Sequence, residues 1–374
     1  MSFANRLRIG SIVPLLVAAN LSNAQTTTSW NSTVDGTWGT AANWTAGAPA
    51  TGPQIADYPG TATLQKTLNL AGGTGRVSFG HIFDLTAGGS GYTFTGTAGS
   101  VAGFYIRAGG TLNGIINNDD NAQTFNVPVK LTSNTGIAGA AAAMVFNAAA
   151  GDLIFNGNNN APTAPWTINL NGASNLTFSG ANNITIGSSG PGQIVNTNVG
   201  TFSGLVKNGA GTLTLGGTAA NTFVGTNVIN AGMVLAAKVD AFGAGNALVF
   251  AGGTFNSGGL NQAFGTLDLR GNVTLDLGAG SSAVTFADSS AFDWSTFTLT
   301  IANWTEGSDS VRFGNNANAL TATQVEHIFF GVSPAQIDSN GFLTPLLVPE
   351  PSSVALSLIG GFGLAAVILR RKKD

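Results

Sequence analysis

The sequence contains no cysteine, which excludes thiol catalysis, thiolate-ligated metals and disulfide staples. Charge is also scarce: Asp, Glu, Lys and Arg together make up 8% of 374 residues. Imidazole is limited to His81 and His327. No sustained helical heptad pattern runs through the chain. Low charge alone would fit a disordered polymer, but 43% hydrophobic residues, 23 of them phenylalanine-sized in the strict sense of being Phe, supply ample core. What the chain does contain in quantity is Gly (53) and Asn (37), set between short runs of Thr, Val, Ile, Leu and Phe. Such runs, broken every few residues by turn formers, predict many short strands and an all-β fold.

Residues 25–349 carry 8 Lys/Arg against 15 Asp/Glu, a net charge of −7. The basic residues are scattered, so a nucleic-acid-binding surface is excluded. Strand-like runs fall at 63–70, 76–83, 92–95, 123–131, 144–146, 153–155, 166–170, 176–178 and 184–186. They continue at 212–215, 226–229, 233–236, 247–250, 267–269, 273–277 and 284–286. Alternation is plain in Thr212-Leu213-Thr214-Leu215, which gives one inward and one outward face. Asn-Leu-Thr-Phe-Ser-Gly-Ala-Asn-Asn at 175–183 returns loosely as Gly-Thr-Leu-Thr-Leu-Gly-Gly-Thr-Ala-Ala-Asn at 211–221. A quasi-repeat of this kind buries its apolar face only against neighbouring copies, which predicts a stacked β-solenoid over 25–345, with a β-sandwich as the alternative. Asn side chains are expected to hydrogen-bond in ladders between coils.

The two ends read differently. Arg6 and Arg8 precede a mostly apolar stretch from Ile9 to Leu21 and then Ser22-Asn23-Ala24. That order is a basic leader, an apolar core and a small-residue cleavage site, so 1–24 is expected to be a signal peptide cut between Ala24 and Gln25. At the other end, Pro349-Glu350-Pro351 is followed by sixteen uncharged residues, 354–369, and then Arg370-Arg371-Lys372-Lys373. As a helix those sixteen residues span about 24 Å at 1.5 Å per residue, a little short of a ~30 Å hydrocarbon core. Snorkelling of Arg370 closes part of the gap, and the four cations act as a stop-transfer signal on the cytoplasmic side.

Pro-Glu-Pro, a short apolar segment and a terminal basic cluster, in that order over 346–374, resemble the PEP-CTERM sorting signal of Gram-negative bacteria. The resemblance implies export across the inner membrane, transient anchoring, and processing by exosortase, a membrane cysteine protease that would recognise Pro349, Glu350 and Pro351. Signal peptidase and the Sec translocon are the partners expected for the leader, and extracellular polysaccharide is a further candidate partner of the mature chain. The mature chain is then expected at the cell surface or outside the cell. Residues 205–237, with Lys207-Asn208-Gly209-Ala210-Gly211, the Thr/Leu alternation that follows and Asn221-Thr222-Phe223, resemble the autotransporter-associated β-strand repeat, which implies a right-handed parallel β-helix. They depart from that pattern at Val224-Gly225-Thr226 and at Met233. Trp30, Trp38 and Trp44 resemble an opening motif of the same group and Trp294, Asn303 and Trp304 its closing stretch, so 25–60 and 291–345 are expected to cap the two ends.

Chemistry is sparse. His81 and His327 lie far apart, each beside apolar residues, and are expected to pack at strand edges. Glycoside hydrolysis needs two carboxylates roughly 5–9.5 Å apart. The adjacent pair Asp119-Asp120 sits in an Asn-rich turn, where Asp commonly caps backbone. Asp268 and Asp276 flank Arg270 and are expected to be solvated strand-face charges. Gly72-Gly73-Thr74-Gly75-Arg76 and Gly88-Gly89-Ser90-Gly91-Tyr92 lack the Asp of a calcium repeat. The reading is therefore a structural or adhesive surface protein with no catalytic residue, cofactor or metal. A polysaccharide-binding or polysaccharide-cleaving β-helix is the alternative, betrayed by carboxylates converging with aromatics in a groove.

Overall fold

The computed structural model describes residues 26–346 except 34–35, 50–53, 61–63, 65, 71–75, 79, 85–89, 97–102, 108–111, 133–141, 158–165, 172 and 198–203. Short strands stack in register as the rungs of a solenoid. The first face holds ten parallel strands, from Thr26–Ser29 to Leu267–Leu269. The second holds twelve parallel strands, from Gly36–Thr37 to Ile328–Phe330. A third face runs through five parallel strands, from Arg76–Ser78 to Ile194–Val195, and reappears later in Gln262–Ala263, Ala283–Phe286 and Ser310–Phe313. One full coil is Gly114–Asn117, Gln123–Phe125 and Val129–Thr132, after which Ala142–Ala148 returns to the first face. Glycine is required where a strand enters tightly: Gly114 (φ +145°) and Gly204 (φ +132°) sit where a Cβ would collide with the carbonyls of Val145 and Thr226 on the next rung.

Inside, alternate residues of each strand form axial rows. One second-face row runs Leu68, Phe94, Phe125, Phe155, Ile186, Leu215, Ala236, each in register with the next. Phe94, Phe125 and Phe155 stack with centroid separations of 5.0 and 4.8 Å, an arrangement that adds to simple area burial. From Phe155 to Ala236 side-chain size falls along this row as the coil shortens. Leu153 and its partner Ile184 are 31 residues apart, whereas Thr212 and Met233 are 21 apart. At the narrowing the third-face strand is replaced by a turn. Lys238 staples it, its buried Nζ donating to Gly192 O, Ala219 O and Asn221 Oδ1 at 2.9, 3.0 and 2.9 Å.

The expected Asn ladders are present. Asn156 Nδ2 donates to Asn126 Oδ1 at 2.9 Å, and Asn230 Nδ2 to Asn208 Oδ1 at 2.7 Å, each across one coil. The internal repeat, however, has a different register from the one its sequence suggests. Residues 176–178 belong to the first face and pair with Leu205–Lys207, whereas Thr212–Leu215 belongs to the second and pairs with Ile184–Ile186. The similarity at 175–183 and 211–221 therefore reflects a shared strand–turn unit used on two faces. Runs 76–83 and 123–131 each divide into two strands on different faces, a division that the unbroken run of strand-forming residues does not reveal.

Both ends are closed. Trp30 bridges Trp44 in antiparallel fashion, and Thr45 and Ala46 bond back to Ser29 and Thr28, covering the outer edge of the first rung. Trp30, Trp38 and Trp44 meet edge to face at 5.4 and 5.3 Å. At the far end, Ser333–Ile337 turns antiparallel onto Ile328–Phe330, and Phe342–Pro345 pairs with both Ser333–Ile337 and Ser310–Phe313. This hairpin ties the second and third faces together and leaves neither with an open edge there.

Candidate functional site

The C-terminal hairpin sets where the tail leaves. Its first strand runs away from the Gly331-Val332 turn and its second runs back toward it, so the chain exits beside that turn. Leu346, the last described residue, still donates its N–H to Pro334 O at 2.7 Å. Pro349, Glu350, Pro351, the 354–369 stretch, Arg370, Arg371, Lys372 and Lys373 follow and lie outside the described residues, as do 1–24, Ala24 and Gln25. Among the described residues no helix is long and apolar enough to cross a membrane.

The chemistry-bearing side chains serve the fold. His81 takes an inward position on the first face, between Ala56 and Ile115, and is fully buried. Trp38 Nε1 donates to the Tyr58 hydroxyl at 2.9 Å, which leaves the single Tyr58 proton to donate to His81 Nδ1 at 3.0 Å. The imidazole proton then sits on Nε2 and faces Ser78 Oγ at 2.9 Å. Burial pushes this imidazole down to about 3, from an ordinary 6.5. It is a neutral strut at physiological pH, with no route to a substrate.

The same shift makes a prediction. Below pH 6.5 the unfolded chain binds a proton that the folded chain refuses until about pH 3, so stability held above pH 6.5 is lost as the pH falls. The slope approaches about 1.4 kcal/mol per pH unit within that window. Urea midpoints taken from pH 7 to pH 4 are expected to fall more steeply for the native chain than for His81→Gln. Equal slopes would show that the imidazole is free to charge in the folded state.

His327 sits at the start of the strand Ile328–Phe330, where its carbonyl accepts from the Leu299 N–H at 3.0 Å. It caps the C-terminus of the short helix Ala322–Glu326, whose N-terminus carries a Thr321/Gln324 capping box; Thr-x-x-Gln was the overlooked signal. Asp119 is buried and accepts from the Asn121 backbone N–H and side-chain amide at 3.1 and 2.9 Å, the capping role expected of it. Asp268 and Arg270 form a 2.7 Å surface ion pair. Asp276 accepts from Asn256, Asn303 and the Gly278 N–H. Among the described residues no group of three or more His, Asp or Glu could hold a metal ion.

One cluster escapes sequence reasoning. Asp57 and Asp84 meet on successive coils, and partial shielding together with the Asp57 charge raises the Asp84 carboxyl above its ordinary value. Lys66 Nζ lies 4.0 Å over the Tyr92 ring, and the Tyr92 hydroxyl donates to Pro59 O at 2.9 Å. Burial, then Asp119, Asp57 and Asp84, hold that phenol protonated well above its usual range. These residues are far apart in sequence and meet only through the coil spacing, which strand patterning alone does not reveal. Asp57 Oδ2 accepts from the Ser29 hydroxyl at 2.6 Å.

Trp30, Trp38, Trp44 and Trp294 are buried, so none offers a platform for stacking a sugar. The outward side of the second face is instead rich in Thr: one row runs Thr212, Met233, Thr254, Thr274, Thr300, and another Thr93, Thr124, Ile154, Thr185, Thr214, Leu235. A depression of about 340 Å³ on this face is lined by Gly36, Thr37, Thr67, Asn69 and Thr95, none of them titratable.

The family model for the PEP-CTERM protein-sorting motif matches residues 347–373. No curated protein and no solved structure matches the chain. The matched segment begins one residue beyond Leu346, directly after the hairpin. This motif marks the chain as an exported, surface-associated protein targeted to exosortase in a Gram-negative bacterium.

Proposed function

We propose that the chain is a structural or adhesive component of the cell surface or extracellular matrix, delivered by its two terminal signals and not an enzyme. Residues 1–24 direct export and are removed before Gln25; residues 346–374 hold the chain at the membrane through 354–369 until exosortase cuts at the Pro349-Glu350-Pro351 segment. Between them stands a solenoid of autotransporter-associated type, with the right-handed winding favoured for parallel crossovers. The observation that carries this reading is the sorting motif joined directly to a capped solenoid whose outward second face, among the described residues, is rich in Thr. Intact mass of the chain produced with and without a functional exosortase tests it. Loss of the tail only when the protease is present is expected, and identical masses in the two hosts would overturn the processing step.

A further inference from the structure

We propose that the corner of the C-terminal hairpin is a lipid-contact surface that seats the solenoid end-on against the membrane before its tail is cut, an inference that rests on the anchoring role given above to 354–369. Val332, at the tip of the Gly331-Val332 turn, is 94% exposed, the most exposed large apolar side chain among the described residues. Leu346, which leaves the paired strand at the same corner, is 43% exposed. Phe329 and Pro334, paired with each other beside them, are half-buried.

Three further observations point to lipid as the occupant. First, charge is sorted along the hairpin. From Ile328 to Leu346 the single charged residue is Asp338, in the opposite turn, so the hairpin itself brings no charge to the Val332 turn. Second, the chain leaving that corner continues Leu347-Val348 in sequence, extending the apolar character toward the tail. Third, Val354, where the uncharged stretch starts, stands eight positions beyond Leu346. At no more than about 3.6 Å per residue, that tether keeps the corner within roughly 29 Å of the bilayer's apolar edge. A tether of this length makes the contact intramolecular, so a small apolar tip suffices where it would not bind lipid from solution.

The absence of native cysteine allows a direct test with the full chain. Val332→Cys and, as a control, Val224→Cys, at a mid-solenoid turn and 72% exposed, are each labelled with an environment-sensitive fluorophore. Each is then reconstituted into vesicles of phosphatidylethanolamine and phosphatidylglycerol. In the vesicle-bound fraction, the probe at position 332 is expected to shift to the blue and be quenched by a headgroup-proximal lipid quencher, while the probe at 224 stays water-like. A vesicle-bound chain in which both probes stay water-like, or both are quenched alike, overturns the lipid corner and leaves the anchoring role standing. A chain that fails to bind vesicles at all overturns the anchoring role and this inference with it.

Discussion

Replacing Pro349, Glu350 and Pro351 together by alanine is expected to abolish tail removal, so that the chain accumulates at the mass of its unprocessed form. The reason lies in what the two prolines deny the backbone. Each lacks an N–H and would clash with the preceding turn, so a helix over 354–369 cannot propagate upstream through them. Proline is disfavoured in a helix interior by about 3 kcal/mol relative to alanine, the best helix former. The triple change therefore removes the block to helix formation at a segment that a protease needs open, and it also removes the lone negative charge between the prolines. Glu350→Ala alone separates the two contributions: it keeps both prolines and is expected to slow cutting without stopping it. Mass spectrometry of membrane and released fractions reads both variants. Tail loss in the triple variant at the native rate would show that recognition does not depend on this segment.

Phe125→Ala is expected to be the most damaging single change in the solenoid. The ring is fully buried and stacks between Phe94 and Phe155 at 5.0 and 4.8 Å, with interplanar angles of 17° and 13°. Truncating a buried phenylalanine costs about 3–5 kcal/mol through lost transfer energy and the cavity left behind. Here the flanking backbone is hydrogen-bonded into rungs on both sides, so the site has little freedom to collapse. Because each coil is stabilised chiefly by its neighbours, the gap also loosens the coupling between the aromatic rungs before it and those after it. Urea unfolding followed by intrinsic fluorescence is expected to show the Trp30–Trp38–Trp44 end melting ahead of the rest in the variant. Phe125→Leu, which keeps most of the volume, should cost less than about 1.5 kcal/mol. A loss under about 1 kcal/mol for the alanine variant would mean that the stack contributes little beyond its neighbours.

How far the molecule can be read from its residues depends on which interaction decides each feature. Strand content follows from alternation such as Thr212-Leu213-Thr214-Leu215, whose in-and-out pattern matches the burial. The buried tryptophans at the ends follow from the need of any stacked fold to close its first and last rungs. Register does not follow, because 175–183 and 211–221 share a local strand–turn grammar, while the face each occupies is set by how many residues the intervening corners consume. The change from 31-residue to 21-residue coils is likewise invisible locally; it shows only once Phe155, Ile186, Leu215 and Ala236 are seen in one row. The Asp57, Asp84, Lys66 and Tyr92 cluster is hidden for the same reason. In the tail, by contrast, Pro349, Glu350, Pro351 and the four terminal cations are legible directly, since a linear motif carries its meaning without any fold around it.

The hydrogen bonds between rungs run along the solenoid axis, and this has a mechanical consequence. Tension applied between the two ends loads those bonds by peeling them, one coil at a time, instead of shearing many at once. Each coil that detaches releases about 20–30 residues, or roughly 70–100 Å of slack at full extension. A molecule wound this way yields in steps under load and lengthens many times over before its polymer backbone bears the strain.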